Sequence, residues 1–184
     1  MIVKVIKMKK TIILIVLAMM MLGALGTQEE VVLIPKDAIR FRVIAASDKE
    51  KDQTIKKKVA KGLQQELRET MLSSTSLQTS RKTLQNKLPQ FKENIENTLA
   101  KNNSQETFDI DYGNHYFPEK KYKGVVYEEG EYESLVVTLG NGQGKNFWCV
   151  LFPPLCLLEA EEGKEEKEVE YKSFVKEMID KYFH

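Results

Sequence analysis

The aromatic residues divide this chain in two. Of eight Phe, seven Tyr and one Trp, only Phe41 and Phe91 precede Phe108; the other fourteen lie from Phe108 to Phe183. Aromatic side chains suit pleated, half-buried surfaces. The division therefore predicts a helix-rich first half and a strand-rich second half. With 184 residues there is room for one ordinary domain. The expected fold class is α+β: an N-terminal strand and helices, then an antiparallel β-sheet, closed by a C-terminal helix.

Local patterns place the elements. Ile39 to Val43 alternates strictly and runs into Ile44-Ala45-Ala46, a strand with one buried face. Ser47 with Glu50 three residues later reads as a capping box. The helix it opens carries Ile55, Val59, Leu63, Leu67 and Met71 four apart, with Ala60 and Leu72 completing the buried face. Ser73 to Ser76 reads as a loop plus a new cap. A second helical pattern follows in Leu77, Leu84, Leu88, Phe91, Ile95 and Leu99, and Pro89 is expected to kink or split it. Thr107 to Tyr112 alternates as a second strand. Tyr122 to Tyr127 and Tyr132 to Leu139 flank Glu128-Glu129-Gly130-Glu131 as a hairpin. Asn146 to Phe152 is an apolar strand that ends at Pro153-Pro154. Glu159 to Glu170 holds seven Glu and two Lys, a solvated linker, and Tyr171, Phe174, Val175, Met178 and Tyr182 mark one face of a closing helix.

The N-terminus has the three-part shape of a secretory signal. Lys4, Lys7, Lys9 and Lys10 precede an unbroken apolar run from Ile12 to Leu22, and the small residues Ala24 and Gly26 suit cleavage after Gly26. The run falls short of the ~20 residues of a comfortable membrane span, and an uncleaved N-terminal anchor is the alternative. The expected organisation is thus 1–26 signal peptide or anchor, 27–158 a folded domain, and 159–184 acidic linker and helix. Membrane contact is expected only through residues 1–26. Their removal takes four of the 28 basic residues and none of the 27 acidic ones, leaving 24 against 27. That balance argues against a nucleic-acid binder built on a basic surface.

The remaining residues assemble no catalytic set. Gly144-Lys145 has Leu139 and Asn146 where a P-loop needs Gly and Ser or Thr, so Gly140 to Gly144 reads as a tight turn. Two Cys and two His leave no four-thiolate zinc site and little for a histidine metal centre. A Cys149–His115 pair would be the material of a thiol-dependent hydrolase. However, Cys149 lies in an apolar strand, where a thiol is inert, and His115 reads as a loop residue. In an exported chain Cys149 and Cys156 are better read together as a disulfide, worth about 2.5 kcal/mol by loop entropy. Two buried reduced thiols are the alternative. A Pro-Pro corner belongs near a sheet edge, so Phe147, Trp148, Phe152, Pro153, Pro154 and Leu155 form a candidate partner contact, with Trp148, Phe152 or Leu155 as an exposed anchor.

The most specific stretch is Gly142-Gln143-Gly144-Lys145-Asn146-Phe147-Trp148-Cys149-Val150-Leu151-Phe152-Pro153-Pro154-Leu155-Cys156. With Ile39 to Asp48, Asp52-Gln53 and Lys56, Phe117-Pro118 with Lys120 and Tyr122, and Gly130 to Leu135, it resembles the stage II sporulation protein R family of endospore-forming bacteria. The likeness runs from about Pro35 to Glu159. Phe147 stands where that family usually has Trp, and Ala46 where it often has Asn. The resemblance implies a signalling protein and not an enzyme, with no cofactor, metal or small-molecule substrate. It implies export from the forespore into the space facing the mother cell. There the family triggers a membrane-embedded aspartic protease, stage II sporulation protein GA, which processes the sigma-E precursor. A secreted hydrolase and an envelope-binding module are the competing readings.

Overall fold

A computed structural model describes residues 31–155 and 168–183, together with Ile13 and Ile15. The chain divides into Met1–Val31 and Val32–His184, and the fold below is that of the second unit. The expected signal or anchor, apart from Ile13 and Ile15, and most of the acidic linker lie outside the described residues, as does Cys156.

The elements run β1 (Val32–Leu33), β2 (Ile39–Ile44), α1 (Glu50–Leu72), α2 (Leu77–Lys101), β3 (Phe108–Phe117), β4 (Lys120–Tyr122), β5 (Val125–Tyr127), β6 (Gly130–Leu139), β7 (Asn146–Phe152) and α3 (Glu168–Phe183). The expected α+β order is what the structure shows. The sheets themselves are mixed. A four-stranded sheet has the order β3-β6-β2-β7, with β2 parallel to β6 and the other pairs antiparallel; a three-stranded sheet has the order β1-β5-β4.

One face of the larger sheet carries Ile39, Phe41, Val43, Leu135 and Val137, and α1 and α2 close over it with Val59, Leu63, Leu67, Leu84, Phe91 and Ile95. The four-residue apolar spacing of α1 thus becomes a core stripe with Ala60 on it, while Leu72, expected to complete that face, is 43% exposed at the helix end. A second, smaller core joins Val32, Ile34 and Val125 of the small-sheet region to Val150, Leu155 and the α3 residues Tyr171, Val175 and Met178. The closing helix is therefore packed into the same unit as the sheets.

Several local expectations change. Ser47 does not cap α1. The N-cap is Lys49, without a side-chain bond; Ser47 Oγ instead donates to Asp52 at 2.5 Å. Ser76 does cap α2, accepting from Thr79 N–H at 3.2 Å. Pro89 does not split α2, which runs unbroken from Leu77 to Lys101. The expected hairpin of 122–127 with 132–139 is absent. The hairpin is β4–β5, turned at Lys123-Gly124, while β6 pairs along its whole length with β3. The reason is length: two ten-residue strands satisfy more backbone groups with each other than either could with a three-residue partner. His115 lies in β3, not in a loop.

Strand β7 is an edge strand, as the Pro-Pro corner predicted. A register shift falls where Ile39 faces Phe152 and Arg40 faces Val150. Leu151 is the extra residue, so Leu151 and Phe152 both reach the helix-side core while Val150 joins the smaller one.

Candidate functional site

Beyond the bulge, the expected anchor is buried. Phe152 and Leu155 are each 1% exposed, and Pro153 and Pro154 are buried with them. The rings of Tyr182 and Phe183 close over Phe152 at 5.0 and 5.9 Å, and Tyr171 and Val175 share the smaller core with Leu155. Exposure expected at Phe152 and Leu155 is thus corrected, because α3 supplies a cover that local sequence does not announce. Phe147 and Trp148 remain half-buried. They are the part of the candidate contact still open to a partner.

The second face of the larger sheet is polar and aromatic. Its register aligns Arg40 with Ser134 and Val150, and Arg42 with Val136 and Trp148. Arg40 is 2% exposed. Its guanidinium lies 3.3 Å from the centre of the Tyr132 ring and 5.3 Å from that of Phe117, a cation–π contact with each of two rings that themselves meet edge-to-face. Its Nη2 donates to the Glu128 carbonyl at 3.4 Å, and its Nε has no partner. Burial lowers the pKa of Arg40 from its ordinary value, and the Tyr132 and Tyr127 side chains oppose the shift. Arg42 stacks on Trp148 at 4.8 Å, Phe117 meets the same indole edge-on at 5.3 Å, and Lys120 stands 5.7 Å from it.

The same face holds a serine–histidine–aspartate chain that invites a catalytic reading. His115 Nδ1 shares a hydrogen bond with Ser134 Oγ at 2.8 Å, and His115 Nε2 lies 3.0 Å from Asp111 Oδ2. The pair arches over Gly113, where an added Cβ would lie 3.3 Å from the Asp111 carboxylate. Accessibility runs the wrong way for a nucleophile. Ser134 is fully buried and donates to the Tyr132 carbonyl at 3.1 Å, while the Asp111 side chain is 64% exposed. A triad needs the hydroxyl open to substrate and the carboxylate sheltered. Cys149 is not brought to His115: it aligns with Phe41 on the helix side of the sheet. Cys149 is disulfide-bonded and carries no free thiol. Among the described residues no group of three or more His, Cys, Asp or Glu is placed to hold a metal ion.

The recognisable sequence blocks turn out to brace this architecture. Lys145 N–H donates to Asp48 Oδ1 at 2.7 Å, Gly144 N–H to the Ala45 carbonyl at 2.9 Å, and Gln53 Nε2 to the Ser47 carbonyl at 2.9 Å. Lys56, 6% exposed, reaches the Lys145 carbonyl at 3.0 Å and Gln53 Oε1 at 2.7 Å. A Cβ on Gly144 would sit 2.3 Å from the Ser47 carbonyl oxygen. Only Gly permits this approach. The glycine turn is thereby locked to the start of α1, which fixes where β7 begins. In the Gly130 to Leu135 block, Glu133 accepts from Arg81 Nε at 2.7 and 3.0 Å and from the Tyr112 hydroxyl at 2.5 Å, tying α2 to the sheet.

These braces fall in the blocks that carry the family resemblance, and the comparison with known proteins agrees. The model of the stage II sporulation protein R family matches residues 35–162. The chain belongs to the stage II sporulation protein R family. Stage II sporulation protein R of Bacillus subtilis (strain 168) is 36% identical over 185 residues, covering 95% of this chain and 83% of that protein. No solved structure matches the chain. Membership of the family makes this a sporulation protein, and the family is not named for an enzyme activity.

Proposed function

We propose that this protein is the exported signal by which the forespore activates the membrane-embedded aspartic protease, stage II sporulation protein GA, so that the sigma-E precursor is cleaved in the mother cell. The observation that carries the reading is membership of the stage II sporulation protein R family across most of the chain. Residues 1–26 direct export into the space between forespore and mother-cell membranes, and the folded unit acts there. It works by binding, without catalysis, cofactor or metal. Binding the active state of the protease more tightly than the inactive state is sufficient to shift it. The half-buried Phe147 and Trp148 on edge strand β7 are the contact residues we favour. Cys149 and Cys156 form the disulfide that holds the end of β7 to the segment after it.

Co-expression in a non-sporulating bacterium tests this. This chain, the protease and the sigma-E precursor are produced together, and precursor cleavage is followed by immunoblot. Cleavage that requires this chain, and requires residues 1–26, is the expected result. Absence of cleavage with export confirmed would overturn the reading and return attention to an envelope-binding module, tested by peptidoglycan pull-down. Unchanged signalling by a Cys149→Ser, His115→Ala variant, folded and exported, would reject the thiol-dependent hydrolase.

A further inference from the structure

Strand β3 stands at one end of the larger sheet, with β6 as its neighbour. Its ten residues, Phe108 to Phe117, pair with β6 in an unbroken register. In an antiparallel ladder alternate residues turn their N–H and C=O away from the partner strand. Among the described residues the backbone of 108–117 bonds to no other main chain beyond that ladder. The one side chain that reaches it is Arg42, at the Tyr116 carbonyl at 3.5 Å. Asp109, Asp111, Asn114 and Tyr116 are exposed along the strand. Edges kept from pairing are commonly short, bulged or furnished with Lys or Pro. Strand β3 is long and regular and holds neither residue. It offers a template for one more strand.

Charge selects the partner. Asp109 and Asp111 lie two residues apart and therefore share one face of the strand. With Glu131 they line a trough of about 700 Å³ over the sheet face opposite the two long helices. The cationic groups in that trough are already engaged. Arg42 is stacked on Trp148, and His115 is held between Ser134 and Asp111. Asp109 and Glu131 form no ion pair among the described residues. The open side of the edge is thus anionic. Like charges opposite one another on neighbouring strands destabilise a pair, and opposite charges stabilise it. A second copy of β3 would bring its own two Asp, whereas a strand with a cation at every second residue matches. We infer that the free edge of β3 accepts an extended basic segment of a protein partner, which adds as a strand and sets Lys or Arg side chains two residues apart against Asp109 and Asp111. This edge lies across the sheet from β7, so a contact here is additional to the one favoured at Phe147 and Trp148.

The probe is fluorescein-labelled Thr-Val-Lys-Val-Lys-Val-Thr-amide, titrated with the full-length chain and followed by fluorescence anisotropy. The comparisons are its analogue with Gln for both Lys and two versions of the Lys peptide, each N-methylated at one of the two alternating sets of amides. Saturable binding of the Lys peptide is expected, with several-fold weaker binding of the Gln analogue, as two cross-strand charge pairs would give. One set of N-methyl groups should abolish binding and the other leave it, since only alternate amides face the sheet. The Asp109→Asn, Asp111→Asn variant should bind the Lys and Gln peptides alike. Should that variant fail to fold, Asp109→Asn alone, which breaks no ion pair among the described residues, should reduce the preference. Equal binding of the Lys and Gln peptides by the unaltered chain would overturn the charge contact. Equal effects of the two N-methylated sets would overturn strand addition. A preference kept in full by the folded double variant would overturn the assignment to β3. A dimer of the chain in sedimentation that the Lys peptide cannot disperse, with no peptide bound, would give the edge to a second copy and overturn the partner reading. The assay contains no protease, so its outcome stands apart from that of the activation experiment.

Discussion

Gly144 and Tyr112 show how single residues carry structural demands of different kinds. At Gly144 the demand is space. A methyl group there meets the Ser47 carbonyl oxygen, so Gly144→Ala should cost roughly 2 kcal/mol or more, read as a lower urea midpoint. At Tyr112 the demand is a proton. Burial, then the hydrogen bond to Glu133, push its pKa well above the ordinary 10.0. The folded protein keeps this proton where the unfolded chain has released it, so the contribution of Tyr112 to stability is complete below pH 10.0 and falls as pH rises beyond it. Wild type should therefore lose stability between neutral pH and just above pH 10.0 more steeply than Tyr112→Phe, compared by urea midpoints. Equal slopes would show that Tyr112 titrates alike in both states. Gly144 stands in a block that carries the family likeness, and Tyr112 holds Glu133 of another. Their role as braces was not legible there, because the partners Ser47 and Glu133 lie far along the chain.

Among the elements, α2 is the instructive case. The Leu, Phe and Ile spacing predicted its buried face, and Leu84, Phe91, Ile95 and Leu99 are buried as expected. Pro89, exposed in mid-helix, removes the N–H that would bond the Gln85 carbonyl, yet the helix continues. Packing on both sides of Pro89 outweighs the lost bond. Pro89→Ala should restore it and raise stability by about 1–3 kcal/mol, measured by thermal unfolding; an unchanged or lower midpoint would show that α2 is shaped to the proline. Strand β7 makes the complementary point. Its span and its edge position were readable from the apolar run and the Pro-Pro corner. The bulge that turns Leu151 and Phe152 to the same core was not, because a bulge is a property of two strands and only one is visible in a local window.

At the scale of the whole unit, α3 decides what the surface is. It covers Phe152 and Leu155 and leaves Phe147 and Trp148 half-buried. A chain ending before Glu168 loses the burial of Tyr171, Val175 and Met178, roughly 5 kcal/mol by apolar area. That is comparable with the total stability of an ordinary domain. Such a chain should unfold at markedly lower denaturant and bind a hydrophobic dye; native-like unfolding would mean that the smaller core is dispensable. Phe152→Ala, likewise, should cost about 3–5 kcal/mol, so a charge placed at Phe152 tests folding and not partner contact.

The sequence by itself determined the α+β class, the two long helices and their buried stripes, the strands at 39–44 and 146–152, the glycine turn, the absence of a phosphate-binding motif and the family. The family came from the resemblance of its sequence blocks; the others rest on residue chemistry or on a period of two or four, which are properties of near neighbours. The tertiary structure alone decided the strand order, the parallel pairing of β2 with β6, the burial of Phe152 and Leu155, and the placing of Arg40 against Tyr132 and Phe117. Those depend on which surfaces, some more than a hundred residues apart as Ile39 is from Phe152, exclude water from each other most completely, and no local pattern records the partner.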